Sequence, residues 1–196
     1  MTTASSVHPS HELLSRMSPH GVVGGRTWID ALPHACADGY LAAKTRGSLE
    51  EAWEKSARGD WLLWLAVVTR QDSTEIAHAA AACTVGIVDL APPGDGDLVL
   101  ALSASVIDKA RVTLIAERIS LGLARGDSDP VRRAARKAIL RASKALLPGD
   151  IFVSGASWYA AQALVRSSSE LASPAGELAH HARLVRESIR FRSPTP

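Results

Sequence analysis

Residues 48–68 read Ser-Leu-Glu-Glu-Ala-Trp-Glu-Lys-Ser-Ala-Arg-Gly-Asp-Trp-Leu-Leu-Trp-Leu-Ala-Val-Val, and they hold three of the five tryptophans in the chain. The whole chain has only two Phe and two Tyr. Because an indole ring buries more surface than other side chains, this stretch is expected to anchor the core. The anchoring residues are Trp53, Trp61 and Trp64.

The same stretch carries strong helix-boundary signals. Ser48 and Glu51 have the spacing of a capping box, which predicts that a helix starts there. Gly59 suits the left-handed residue that ends a helix, and Asp60 suits the N-cap of the next one. We therefore predict a helix–turn–helix with a glycine–aspartate corner, one tryptophan on its first arm and two on its second.

Composition favours a helical domain. The chain has 196 residues, 46% of them hydrophobic, and a mean hydropathy of +0.05. Its 33 alanines favour helices that pack closely through small residues. No long stretch alternates with a period of two, so a sheet is not expected. The predicted fold is all-α, a single bundle of about seven to eight helices.

Punctuation by glycine, proline and capping residues divides the chain. Residues 1–24 are expected to be a flexible lead-in, residues 25–192 a single domain, and residues 193–196 a tail. Pro92-Pro93-Gly94-Asp95-Gly96 is the strongest break and a candidate hinge. The predicted helices cover 28–45 with an interruption near Pro33, then 49–58, 60–69, 72–90, 97–124, 129–147, 152–171 and 174–190.

Patterns for catalysis or metal binding are missing from the sequence. It has no HExxH or CxxC pattern, and the adjacent His180 and His181 would point about 100° apart on a helix. Cys36 and Cys83 are expected to be small buried thiols in a reducing compartment. We predict no catalytic residue, no metal, no cofactor and no membrane span, and a cytoplasmic location.

Charge is distributed unevenly. Residues 1–100 carry 7 Lys and Arg against 12 Asp and Glu, whereas residues 101–196 carry 15 against 8. The predicted helix 129–147 has six basic residues and no acid after its first position, so one of its faces should be basic. This face either is solvated opposite the acidic first half or meets phosphate or an acidic protein surface. Its members are Arg132, Arg133, Arg136, Lys137, Arg141 and Lys144.

Three segments carry a family resemblance: residues 35–40 (Ala-Cys-Ala-Asp-Gly-Tyr), 48–53 (Ser-Leu-Glu-Glu-Ala-Trp) and 59–65 (Gly-Asp-Trp-Leu-Leu-Trp-Leu). Together they resemble small all-α proteins known as immunity proteins of bacterial toxin systems. The match covers about residues 35–66 and implies a helical protein-binding role without catalytic residues. Immunity proteins that plug a basic nuclease site are usually acidic, whereas this chain has a net charge of +2. The resemblance thus implies either binding through the acidic first half or a toxin that is not a nuclease.

The first functional hypothesis is a non-enzymatic module that binds another protein, in its most specific form a toxin. Two alternatives from other classes are a structural subunit that self-assembles through its alanine-rich helices and a nucleic-acid-associated protein that uses the basic helix. An enzyme with a site assembled from distant residues is a further alternative. The oligomeric state is left open by the sequence.

Overall fold

The computed structural model describes residue 29 and residues 37–147, 149–168 and 173–193. For residues 37 and 38 it describes the backbone only. The described residues contain nine α-helices and no strand, which confirms the predicted all-α class. The helices are α1 (Ala37–Lys44), α2 (Leu49–Lys55), α3 (Gly59–Val68), α4 (Ser73–Thr84), α5 (Asp97–Leu102), α6 (Lys109–Ala124), α7 (Pro130–Ala142), α8 (Gly155–Ser167) and α9 (Ala175–Ser188). Three 3-10 helices accompany them: Val85–Leu90, Ser143–Leu146 and Ile151–Ser154.

The chain forms two compact units. The smaller is Met1–Lys55 with Arg192–Pro196, of which the structure describes residues 29, 37–55, 192 and 193, and the larger is Ser56–Phe191. The candidate hinge at 92–96 lies within the larger unit, and its mobility stays a prediction, as does the single domain over 25–192. The predicted lead-in 1–24 and the interruption near Pro33 lie outside the described residues.

In the smaller unit, the predicted capping box starts α2. The Ser48 hydroxyl accepts a hydrogen bond from the Glu51 amide at 3.1 Å. The Glu51 carboxylate accepts one from the Gly47 amide at 2.7 Å and pairs with Lys55 at 2.8 Å. Trp53 is buried, as expected of a core anchor.

Helix α4 is the centre of the larger unit. It contacts α3, α5, α7, α8 and α9. Its sequence explains this position, because alanines and a small thiol let several neighbours approach one helix closely. The buried residues of α4 are Ile76, Ala77, Ala79, Ala80, Ala81, Cys83 and Thr84.

The most extensive helix–helix contact joins α7 and α8. Both helices bury a face composed mainly of alanine, in agreement with the predicted close packing through small residues. The buried positions are Ala134, Ala135, Ala138, Ile139 and Ala142 on α7 and Ala156, Ser157, Ala160, Ala161 and Ala163 on α8. The basic residues of α7 other than Arg136 consequently lie away from this alanine face.

The predicted glycine–aspartate corner is wrong. Helix α2 ends at Lys55, and Gly59 is the first residue of α3, where its φ is not positive. The N-cap position belongs to Arg58, and Asp60 lies in the first turn of α3. The predicted helix–turn–helix is therefore not confirmed, and its two arms belong to different units.

The predicted helix over 97–124 is two helices. Helix α5 ends at Leu102, and Asp108 caps α6 by accepting a hydrogen bond from the Arg111 amide at 3.1 Å. Only Val112, Ile115 and Ile119 of α6 are buried, so α6 does not pass through the middle of the bundle. Other predicted boundaries are confirmed, notably the Asp72 cap of α4 and the Asp129-Pro130 start of α7.

Candidate binding surfaces

Five of the six predicted basic residues lie on α7 and Lys144 lies in the following 3-10 helix, and one of the six is internal. Arg136 has a side chain that is 13% exposed, and its Nε donates to the Asp95 carboxylate at 2.8 Å. Its Nη1 lies 3.9 Å from the Asp127 carboxylate. Gly122 leaves room for this guanidinium, since a Cβ there would come within 2.0 Å of it. The predicted continuous basic face is thus interrupted, because Arg136 ties the Pro92–Gly96 turn to α7.

Burial acts on the partner carboxylate as well. It raises the pKa of Asp95, while the adjacent Arg136 opposes that rise. A buried pair of this kind gains Coulomb energy and loses hydration energy, so it contributes more to defining one arrangement than to net stability. Asp95 is one of the few buried charged residues among those described.

Two of the remaining basic residues contact main-chain or acidic groups near the ends of the helix. Arg133 donates from Nε to the Asp127 carbonyl at 2.8 Å. Lys144 lies 3.7 Å from the Asp150 carboxylate. Arg132 is exposed. Arg133 is exposed as well, whereas the Lys144–Asp150 pair is partly buried, with side chains that are 34% and 16% exposed.

Aromatic rings from the following elements approach two further cations. The Lys137 ammonium lies 5.4 Å from the centre of the Tyr159 ring, and the Arg141 guanidinium lies 4.7 Å from that of Phe152. Phe152 is 58% exposed. The sequence of α7 contains no aromatic residue, so linear inspection of this helix missed both rings. We call this set the basic–aromatic face: Arg132, Arg133, Lys137, Arg141, Lys144, Phe152 and Tyr159.

A second surface is a groove of about 620 Å³ that the sequence did not suggest. Its walls come from the Val85–Leu90 3-10 helix, the Pro92–Gly96 turn and α5. Most of its lining residues are aliphatic or proline, and two of them, Val85 and Leu100, are 59% and 70% exposed. The groove therefore leaves aliphatic side chains in contact with solvent.

Charged groups lie at one side of this groove. Asp89 and Asp97 belong to its lining. Arg118 of α6 approaches Asp97 at 3.7 Å and donates from Nη2 to the Gly94 carbonyl at 2.6 Å. Arg118 thereby holds the turn next to α6, and Asp89 is exposed at the groove.

A buried polar cluster joins α3, α8 and α9. The Ser157 hydroxyl lies 3.1 Å from His181 Nδ1, and both residues are buried. Burial, with the neighbouring His180, lowers the pKa of His181 to about 4, so its ring is neutral near pH 7. Since Ser157 has no exposed surface, this pair fits a packing role better than a nucleophilic one. His180 is exposed, as the predicted divergence of the two rings requires.

Beside this cluster, Arg58 connects acidic and aromatic groups. Its guanidinium makes two hydrogen bonds to the Asp60 carboxylate, at 2.9 and 2.6 Å. It also lies 4.6 Å from the Trp61 ring and 5.3 Å from the Trp158 ring. Trp61 is thus half-buried against a cation, whereas Trp64 is buried in the core. Among the described residues, the indole nitrogens of Trp61 and Trp64 are buried without a hydrogen-bond partner.

The described residues show no metal centre and no membrane span. They contain no group of three or more His, Cys, Asp or Glu able to hold a metal ion. Each helix among them is too short or too polar to cross a bilayer. Cys83 is buried, and burial raises the pKa of its thiol, while Cys36 lies outside the described residues.

Neither a family model, nor a curated protein, nor a solved structure matches the chain. The resemblance of residues 35–66 to immunity proteins therefore stays a prediction.

Proposed function

We propose that this protein works by binding another protein, and that the groove lined by residues 85–103 receives an apolar segment of the partner. The observation that carries the proposal is a preformed apolar groove of about 620 Å³ with exposed aliphatic side chains at its lining. Val85 and Leu100 are more than half exposed, so an occupant would cover apolar surface that the protein itself leaves in water. Because these apolar side chains project out of the groove, a protein segment would cover them better than a small molecule would.

The charge around the groove indicates which residues the partner segment should contain. The groove lies in the acidic part of the chain, where 12 Asp and Glu of residues 1–100 outnumber 7 Lys and Arg. Asp89 and Asp97 lie within its lining, and Asp97 already has Arg118 close by. We expect the partner segment to combine aliphatic or aromatic residues with a Lys or Arg that pairs with Asp89.

The most specific form of the proposal is that the partner is a bacterial toxin. This form rests on the resemblance of residues 35–66 to immunity proteins, and it adds a class of partner to the groove argument. The acidic groove agrees with the alternative in which the first half of the chain performs the binding.

The experiment is calorimetric titration of the protein with the purified products of genes adjacent to its own. Leu100→Arg places a charge in the groove and is expected to weaken binding at least tenfold. Leu121→Arg is the matched control, since Leu121 on α6 is 61% exposed and does not line the groove. Asp89→Lys should weaken binding most at low salt.

Two results would contradict the proposal. One is that no adjacent gene product binds, and the other is a complex whose affinity Leu100→Arg leaves unchanged. Light scattering tests the scaffold alternative separately: a dimer or larger assembly that Leu100→Arg dissociates would show that a second copy fills the groove.

A further inference from the structure

The basic–aromatic face offers a second binding function that is independent of the groove. Four of its cations, Arg133, Lys137, Arg141 and Lys144, recur every three or four residues along α7 and the following 3-10 helix. At 1.5 Å per residue this spacing places a cation about every 6 Å along one side of the helix. A row of this kind matches a chain of regularly spaced negative charges better than it matches a single anion.

Two aromatic rings lie against this row. Arg141 is stacked near one side of Phe152, and the ring is still 58% exposed. Lys137 approaches Tyr159, which is half-buried. The 3-10 helix Ile151–Ser154 and α8 thus supply the aromatic groups that α7 lacks, and they place them among the cations.

Nearby acids neutralise only part of this charge. Asp150 lies 3.7 Å from Lys144, and Asp127 contacts Arg133 through its carbonyl oxygen. The Asp127 carboxylate instead lies near Arg136, which is internal. Among the described residues, Lys144 is the one cation of this row with a carboxylate within 4 Å. The Asp129 carboxylate lies at the start of α7, where it accepts a hydrogen bond from the Arg132 amide.

We propose that the basic–aromatic face binds single-stranded nucleic acid. Its Lys and Arg side chains would contact successive phosphates, and the open side of Phe152 would stack on a base. Stacking requires an unpaired base, which favours a single strand over a duplex. An acidic peptide would use the cations but would gain little from an exposed ring.

The test is fluorescence anisotropy of a labelled oligothymidylate of about 20 nucleotides, long enough to exceed the usual site size of such proteins. Binding should be measurable at about 50 mM salt and should weaken steeply as salt rises, with a slope near −0.7 per phosphate contacted. Lys137→Glu and Arg141→Glu should each weaken it at least tenfold and reduce the slope by about 0.7, the contribution of one lost phosphate contact. The matched control is Arg111→Glu, an exposed arginine on α6 whose loss changes the net charge equally.

Phe152→Ala distinguishes stacking from charge. It should weaken binding about tenfold at every salt concentration while leaving the slope unchanged. Circular dichroism of each variant checks folding, and Lys137→Glu keeps the test valid if Arg141→Glu perturbs the Phe152 contact. The corresponding control is Leu114→Ala, which removes a side chain that is 70% exposed on α6.

Three results would overturn the proposal. The first is no binding at low salt, and the second is binding that Arg111→Glu weakens as much as Lys137→Glu does. The third is equal affinity for polyglutamate together with no effect of Phe152→Ala, which would make this face a docking surface for acidic protein segments.

Discussion

Replacing Gly59 by alanine tests how the first turn of α3 packs. An added Cβ would lie 2.6 Å from His181 Cβ, 2.8 Å from Ser157 Oγ and 2.9 Å from the His181 carbonyl carbon. Carbon atoms normally approach to about 3.5–4.0 Å, so α3 and α9 would have to separate by about 1 Å. Because one of the contacts is with backbone, rotating a side chain cannot relieve all of them.

The sign of the effect is diagnostic. In an unobstructed helix, Gly→Ala stabilises by up to about 1 kcal/mol, whereas overpacking a core costs about 1–3 kcal/mol. We therefore expect Gly59→Ala to lower the free energy of unfolding by about 1–2 kcal/mol. Gly176→Ala is the matched control: Gly176 is also in a first helical turn, and a Cβ there meets nothing within 4 Å.

Urea unfolding followed by tryptophan fluorescence measures both variants. With a slope m of about 2 kcal/mol/M, the midpoint of Gly59→Ala should fall by roughly 0.5–1 M, and that of Gly176→Ala should stay or rise. A Gly59→Ala protein as stable as the wild type would refute the close approach of α3 and α9. Equal slopes are needed for the comparison, since a changed slope reports a different denatured or native state.

Three further predictions concern charge and capping. The pKa of His181 is about 4 in the folded chain and 6.5 in the unfolded chain, so proton binding favours the unfolded chain. The stabilisation that neutral His181 contributes is complete above pH 6.5 and falls by about 3 kcal/mol as the pH is lowered to 4. Urea midpoints measured across this range should fall more steeply for the wild type than for His181→Asn. Arg136→Met leaves Asp95 buried without its partner. It should lower the free energy of unfolding at pH 7, measured with heat or urea, by about 3–5 kcal/mol. The double variant Arg136→Met with Asp95→Leu should recover most of that loss. Asp108→Ala removes the cap of α6 and should cost about 0.5–2 kcal/mol; no loss of stability or of helical circular dichroism would contradict the separation of α5 from α6.

Local signals in the sequence located many helix boundaries. Asp72, Asp108 and Asp129 each accept a hydrogen bond from an amide of the first helical turn. Two of these caps were predicted, Asp72 because Glu75 follows it at capping-box spacing and Asp129 because Pro130 follows it at the first helical position. Asp108 was missed because it follows the apolar run of α5 without glycine or proline, and the run suggested one continuous helix.

The candidate surfaces depended more strongly on tertiary packing. The basic residues of α7 are visible in the sequence, but only the fold shows that Arg136 is paired with Asp95, 41 residues earlier. Phe152 and Tyr159 join the cations because α8 packs along α7. The groove likewise combines a 3-10 helix, a turn and α5, none of which is distinctive alone.

The tetrapeptide Ala-Arg-Gly-Asp separates what the sequence determined from what the tertiary structure decided. It occurs at 57–60 and at 124–127. At the second site it acts as its local chemistry predicts: α6 ends at Ala124, and Gly126 has a φ of +86°. At the first site Gly59 begins a helix, because the absence of a Cβ lets α3 approach Ser157 and His181. Sequence alone determined the helical class and the capped boundaries, since these depend on neighbouring residues. The role of Gly59 was decided by the helices that pack against it, which lie about a hundred residues further along the chain.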